Sequence, residues 1–86
     1  MNITEVTVFR RNRKKLKGIA SIVIDDAFAV HDIKIIESPE GKLFITMPSR
    51  RIAGGRFRDI AHPLKTEVRR HIEELLFAAY EVAEPN

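Results

Sequence analysis

Only one stretch of this chain repeats at helical spacing. Between Leu64 and about Val82, the residues Val68, Ile72, Leu75, Leu76 and Ala79, with Ala83 just beyond, recur at i, i+4, i+7 and i+8, the mark of one buried helical stripe. Thr66 is the expected N-cap, Glu67 sits favourably in the first turn, and Glu84-Pro85-Asn86 is the expected stop. Everything before Met47 reads as strand and turn. A single helix covers one face of a sheet, so the fold expected is α+β: an antiparallel sheet of four to five strands with one C-terminal helix. The uncovered face then calls for a partner, and a second copy of the chain is the least costly cover.

The strands follow from β-branched and aromatic runs punctuated by turn residues. Residues 3–10 form the first, and the cations of 11–17 repel one another into a water-facing turn. Residues 19–25 form the second strand, with Asp25-Asp26 supplying a tight reversal. Residues 28–37 form the third, but its apolar phase is mixed: Phe28, Val30 and Ile36 share one parity, Ile33 and Ile35 the other. Either both faces are covered or a bulge resets the register near His31-Asp32. Ser38-Pro39-Glu40-Gly41 is a turn, and 42–47 closes the hairpin. The segment 56–60 is a candidate fifth strand, pairing with a sheet edge, that of a second subunit included.

At 86 residues the chain is one domain, 1–86, and so small a domain buries only about 60% of its unfolded surface. It contains no cysteine, which excludes disulfides and thiolate metal sites. No apolar run approaches a membrane span and the N-terminus lacks a signal-peptide core. The expectation is a soluble cytoplasmic protein, nucleoid-associated, with no membrane and no small-molecule substrate.

The net charge of +3 is modest but unevenly spread. Residues 10–17 hold six bases and no acid, 50–70 hold seven bases and two acids, and 73–86 hold four acids and no base. Met47 to Pro63 is a connector bracketed by two prolines and broken by Gly54-Gly55, and Arg50, Arg51, Arg56 and Arg58 fall within nine residues that contain no acid. A long loop in a small domain is usually functional, and the guanidinium fork is well shaped for phosphate. A solvated basic loop is the plainer alternative. Arg69 and Arg70 sit in the first turns of the helix and its acids toward the end, the reverse of what the dipole favours. With Lys65 they make the helix N-terminus a candidate phosphate site, unless Arg69–Glu73 and Arg70–Glu74 are ordinary surface pairs. Arg13, Lys14 and Lys15 are a second candidate basic site. Phe77 projects away from the apolar stripe and is a candidate dimer contact. Phe57, between two arginines, reads first as a core anchor for the connector and second as a stacking platform for a single strand.

Ile-Asp-Asp-Ala-Phe-Ala-Val-His-Asp-Ile (24–33), Leu-Phe-Ile-Thr-Met-Pro-Ser-Arg-Arg (43–51) and Phe-Arg-Asp-Ile-Ala-His-Pro (57–63) together resemble the stage V sporulation protein G (SpoVG) family of small bacterial regulators. The resemblance implies a dimeric sheet-plus-helix protein that binds DNA, and in some members RNA, around septation, sporulation and virulence. It implies a DNA-contacting basic pair at Arg50 and Arg51, with Lys65, Arg69 and Arg70 as further contacts. Where many members carry Thr-Pro-Asp-Gly-Glu this chain has Ile52-Ala53-Gly54-Gly55-Arg56, a base in place of an acid, and its 10–17 hairpin is more basic. Both changes favour tighter and less discriminating phosphate binding.

No catalytic constellation, cofactor motif or metal-ligand spacing stands out. His31, His62 and His71 lack the i, i+4 helical spacing that would support ligation, and there is no nucleophile elbow or phosphate-binding glycine loop. His62 and Asp59 read as hydrogen-bonding groups that fix the path of the connector. The function expected is therefore a nonenzymatic nucleic-acid-binding regulator, of DNA first and RNA as the alternative. A protein-interaction adaptor whose basic connector docks an acidic partner is the other reading.

Overall fold

A computed structural model describes residues 2–84. It contains a four-stranded antiparallel sheet in the order β1 (Ile3–Arg13), β2 (Leu16–Ile24), β3 (Phe28–Glu37) and β4 (Leu43–Thr46). A separate two-stranded sheet follows, β5 (Ser49–Arg51) and β6 (Phe57–Asp59), and the chain ends in one helix, α1 (Thr66–Val82). The α+β expectation holds. The segment expected as a fifth strand does form one, but within this chain β6 pairs with β5 in a separate two-stranded sheet and not with an edge of the main sheet.

The turns form where the sequence places them. Asp25 and Asp26 both have positive φ, 53° and 52°, and the Ala27 amide donates to the Ile24 carbonyl at 2.9 Å, which is the primed turn that suits a twisted hairpin. Asn2 braces it, its amide donating to Asp25 Oδ1 at 2.9 Å. At the other end of β3, the Gly41 amide donates to the Ser38 carbonyl at 2.9 Å with Gly41 at φ 86°, a conformation that suits glycine. The basic stretch, by contrast, is mostly strand. β1 and β2 extend to Arg13 and Leu16, leaving Lys14-Lys15 as the reversal. Ladder hydrogen bonds need only backbone, and the long cations reach water from strand positions as well as from a turn.

The mixed phase of β3 is resolved by a bulge. Ala20 pairs with Ile33 but Ile22 with Val30, so one extra residue lies on β3 at His31-Asp32, and Asp32 has φ 62°. The shift brings Val30, Ile33 and Ile35 onto one face despite their opposite parities. Asp32 tolerates the left-handed region where a β-branched residue would not, at roughly 1–2 kcal/mol. Asp32→Gly is therefore expected to keep or raise stability, and Asp32→Val to lose about 1–2 kcal/mol in urea denaturation; equal midpoints for the two variants would refute the strain.

The core joins Ala20, Ile22, Ile33, Ile35, Ile45 and Met47 of the sheet side to Ile72 and Leu76 of α1. The helix is rotated from the expected stripe. Leu76 is fully buried and Phe77 and Tyr80 pack against the core, while Leu75 and Ala79 are only half-buried. Phe77 is thus a core contact, not an outward projection. The cap also differs: Lys65 occupies the N-cap with no side-chain bond, and Thr66 is the first helical residue. The helix ends at Val82 with Ala83 as its C-cap; Pro85 and Asn86 of the expected stop lie outside the described residues.

The helix charge order has a structural partner. Arg10 shares its sheet face with Val6 and Val8 and reaches the far end of α1. Its Nη2 and Nε both donate to the Tyr80 carbonyl, at 2.6 and 3.0 Å, and its guanidinium lies 4.2 Å from the Tyr80 ring centroid. The last turn of α1 has no base of its own, so β1 supplies the cation that the helix dipole favours there.

The opposite face of the sheet stays open. It carries Phe9, exposed at 60%, opposite Ile19, and Phe44 opposite Ile36, with Val23 nearby, interleaved with Thr7, Ser21, Lys34 and Thr46 on alternating strand positions. Such a mixed face of an antiparallel sheet is compatible with water.

Candidate nucleic-acid interface

The connector folds back on itself. Ile60 donates to the Pro48 carbonyl at 2.7 Å and Ile52 to the Arg56 carbonyl at 2.8 Å, closing a ribbon whose tip is a 3₁₀ turn over Ala53–Gly55. Gly54 and Gly55 have φ of 82° and 73°, so the reversal uses the residues best able to make it. Nothing in the apolar pattern marks β5, since every residue of both short strands is exposed.

Register decides where the arginines go. Arg50 is directly opposite Arg58, and Arg51 is opposite Phe57. Side chains alternate along a strand, so Arg50, Arg56 and Arg58 share one face of the ribbon while Arg51 and Phe57 share the other. Directly opposed residues have Cβ atoms about 4.5–5.5 Å apart, and like charges so placed destabilise the pair by a few tenths to about 1 kcal/mol. No carboxylate offsets the cost: among the described residues the one ion pair within 4.0 Å is Lys17–Glu37, at 3.9 Å, elsewhere in the fold. Three exposed guanidiniums without an anion are a surface able to take phosphate oxygens. Phe57 is 70% exposed, so it anchors no core and stands beside Arg51 as an available aromatic face.

The other candidate residues divide. Lys65 and Arg70 are exposed at the start of α1, a few residues after the ribbon. Arg69 is half-buried and its Nη2 donates to the Ile45 carbonyl of β4 at 2.8 Å, so it fastens the helix to the sheet. Neither Arg69 nor Arg70 pairs with the glutamate four residues on. Arg13, Lys14 and Lys15 form the exposed tip of the β1–β2 hairpin, where Glu37 donates to the Lys15 carbonyl at 2.9 Å. That tip lies at the Glu37 end of the sheet, whereas the ribbon leaves from the Thr46 end of β4. The structure therefore groups the connector's arginines and sets the hairpin cations apart from them. His62 is exposed, its Nδ1 3.2 Å from the Pro63 carbonyl, and Asp59 is exposed at the end of β6 opposite Ser49.

Beside the ribbon's root is an apolar cleft of about 470 Å³, lined by Ile22, Ile24, Phe28, Val30, Met47 and the Ala61–Lys65 segment with Val68 and Ile72. It exists because α1 crosses the sheet from β4 to β1 along the row of Ile45, Ile35, Gly18 and Arg10, with Arg69 bonded to Ile45 at one end and Tyr80 to Arg10 at the other, leaving the Asp25-Asp26 end uncovered. Leu64, 92% exposed, and Phe28, 65% exposed, stand at its rim. No helix is long and apolar enough to cross a membrane, and among the described residues no His, Cys, Asp and Glu cluster offers a metal site.

Comparison with known proteins agrees with the sequence motifs. The SpoVG family model matches residues 1–82. A protein of Lachnospira eligens is 49% identical over 85 residues, covering 98% of this chain and 96% of its own length. One of Bdellovibrio bacteriovorus is 51% identical over 81 residues, 94% of this chain and 74% of its own. Both carry the name "Putative septation protein SpoVG", and a Listeria monocytogenes protein with the same name, numbered 1, is 48% identical over 85 residues, 98% of this chain and 82% of its own. With the family pattern matched over nearly all of its length and relatives about half identical, this chain belongs to the SpoVG family.

Proposed function

We propose that this protein is a homodimeric, nucleic-acid-binding bacterial regulator acting in septation- or sporulation-type processes, and that it holds DNA mainly through phosphate contacts from the β5–β6 ribbon. The reading rests above all on the opposition of Arg50 and Arg58: an exposed like-charge pair, reinforced by Arg56, with which no acid among the described residues forms an ion pair. Lys65 and Arg70 at the uncapped start of α1 extend the same positive surface, and Arg69 contributes by holding that helix end in place. The relatives' names supply the link to septation. Dimerisation has its best support in the apolar cleft, whose exposed rim residues need cover more than the mixed open sheet face does.

The test is the salt dependence of binding to duplex DNA. Each phosphate contact removed is expected to flatten the slope of log affinity against log salt by about 0.9. Arg50→Ala with Arg58→Ala should flatten it by roughly two units and weaken binding to every sequence, with the fold intact because both side chains are exposed. Lys14→Ala with Lys15→Ala is the internal comparison, and a small change there confines the contact to the ribbon. An unchanged slope in the folded Arg50/Arg58 variant removes the ribbon from the interface, and capture of an acidic protein without DNA binding supports the adaptor reading instead.

A further inference from the structure

The ribbon's shape narrows the kind of nucleic acid it fits. We infer that the β5–β6 ribbon enters the major groove of duplex DNA, with Arg50, Arg56 and Arg58 on its inward face: Arg56, next to the tip, reaches the base edges and takes guanine where it is present, while Arg50 and Arg58, nearer the root, hold the flanking phosphates. This rests on the DNA-binding reading above and goes beyond it by assigning a groove and a base contact.

Three observations carry it. Both strands are exposed on both faces, so the ribbon stands clear of the body and has room to be surrounded. Isolated two-stranded sheets are marginal in water, which is consistent with a segment that gains its packing from a ligand. The alternation places three guanidiniums on one face, and the like-charged pair Arg50 and Arg58 sits side by side across the strands. The B-form major groove, about 12 Å wide and 8.5 Å deep, admits a two-stranded ribbon. The minor groove, about 6 Å wide, is too narrow for two strands spaced about 4.8 Å apart together with their side chains. Duplex RNA presents a deep, narrow major groove that side chains do not read. On the floor of the DNA groove, O6 and N7 of guanine are the acceptors that match a guanidinium fork.

The experiment uses the full chain and three labelled duplexes of one sequence: ordinary DNA, DNA with 7-deazaguanine for guanine, and RNA. The deaza base lacks the N7 acceptor in the major groove but leaves the minor groove and the phosphates unchanged. Loss of N7 is expected to weaken binding by about tenfold, in line with a bidentate guanine contact, and RNA is expected to bind at least as weakly. The Arg56→Ala variant should no longer distinguish the two DNA duplexes, whereas Arg50→Ala with Arg58→Ala should weaken both to the same degree. Netropsin, which fills the minor groove, should leave affinity within about twofold, whereas the major-groove ligand methyl green should displace the protein. Equal affinity for ordinary and deaza DNA, displacement by netropsin, or RNA bound as tightly as DNA overturns the inference. If those results come with a slope that still flattens in the Arg50/Arg58 variant, only the groove assignment falls. If the wild-type protein shows no salt-dependent binding to any of the duplexes, the DNA-binding reading falls with it.

Discussion

Arg10→Ala is expected to lower unfolding stability by about 2–4 kcal/mol, more than a surface arginine on a β-strand ordinarily contributes. The side chain is half-buried, and it gives the Tyr80 carbonyl two hydrogen bonds, at 2.6 and 3.0 Å, while its guanidinium covers the Tyr80 ring. A hydrogen bond to a charged group contributes about 1.5–3 kcal/mol, and the cation–π contact adds about 0.5–1 kcal/mol. The substitution also removes the cation from the C-terminal end of the helix dipole. Arg10→Lys should recover only part of the loss, because one ammonium cannot reproduce a planar fork lying over a ring. Urea denaturation of both variants, with helix content followed by circular dichroism, measures this; a stability change below about 0.5 kcal/mol for Arg10→Ala, the ordinary range for a surface substitution, would show the latch to be dispensable. Arg69→Ala belongs to the same class, since Arg69 serves the Ile45 carbonyl, and it should act on stability more than on the salt slope.

A still larger change is expected in assembly. In a two-fold dimer across the cleft, Leu64 and Phe28 of each protomer are buried against the same surface of the other. Leu64→Asp with Phe28→Asp places carboxylates in an apolar contact, where an unpaired buried charge costs several kcal/mol. The dimer dissociation constant should rise by at least about a hundredfold, at 1.4 kcal/mol per tenfold. The protomer fold should survive, because both side chains are exposed within one chain. Light scattering at micromolar concentration reads the outcome. A double variant as dimeric as the wild type moves the interface elsewhere, and a monomeric wild type ends the dimer proposal.

The main sheet was legible in the sequence because its signals are local. Ser38-Pro39-Glu40-Gly41 and Asp25-Asp26 carry their turn chemistry in their own side chains, and the parity change in β3 announces the bulge at Asp32. The ribbon was not legible, because β5 and β6 are strands without an apolar alternation; their pairing follows from the reversal at Gly54-Gly55 and backbone hydrogen bonds. Arg56–Ile60 looked like a strand in search of an edge because its partner strand, Ser49–Arg51, looked like loop. The helix is legible in the sequence but its phase is not, since Leu75 and Ala79 weigh as much as Leu76 in a periodicity count although the core is joined by Ile72 and Leu76, with Phe77 and Tyr80 packed beside them. That same rotation brings Phe77 inward and puts Arg69 against Ile45. One sequence signal did exist for Arg10: it shares strand parity with Val6 and Val8, an inward position that a cation occupies only when something there receives it. The N-cap was misplaced by one residue, because Thr66 has the right chemistry but Lys65 has the extended backbone.

The meeting of β1 with α1 has a consequence for how the molecule is made. β1, the earliest of the described elements along the chain, is latched by Arg10 to α1, the latest of them, and Ile72 and Leu76 are the last core residues in chain order. While the C-terminal segment is still being added, Ile22, Ile33, Ile35 and Ile45 have no helix to lie against, and a sheet built in order along the chain would remain open on its apolar side. Completion must therefore wait for α1, with loop closure over the 70 residues that separate Arg10 from Tyr80 setting its pace. During that interval the nascent sheet is most exposed to pairing with its neighbours.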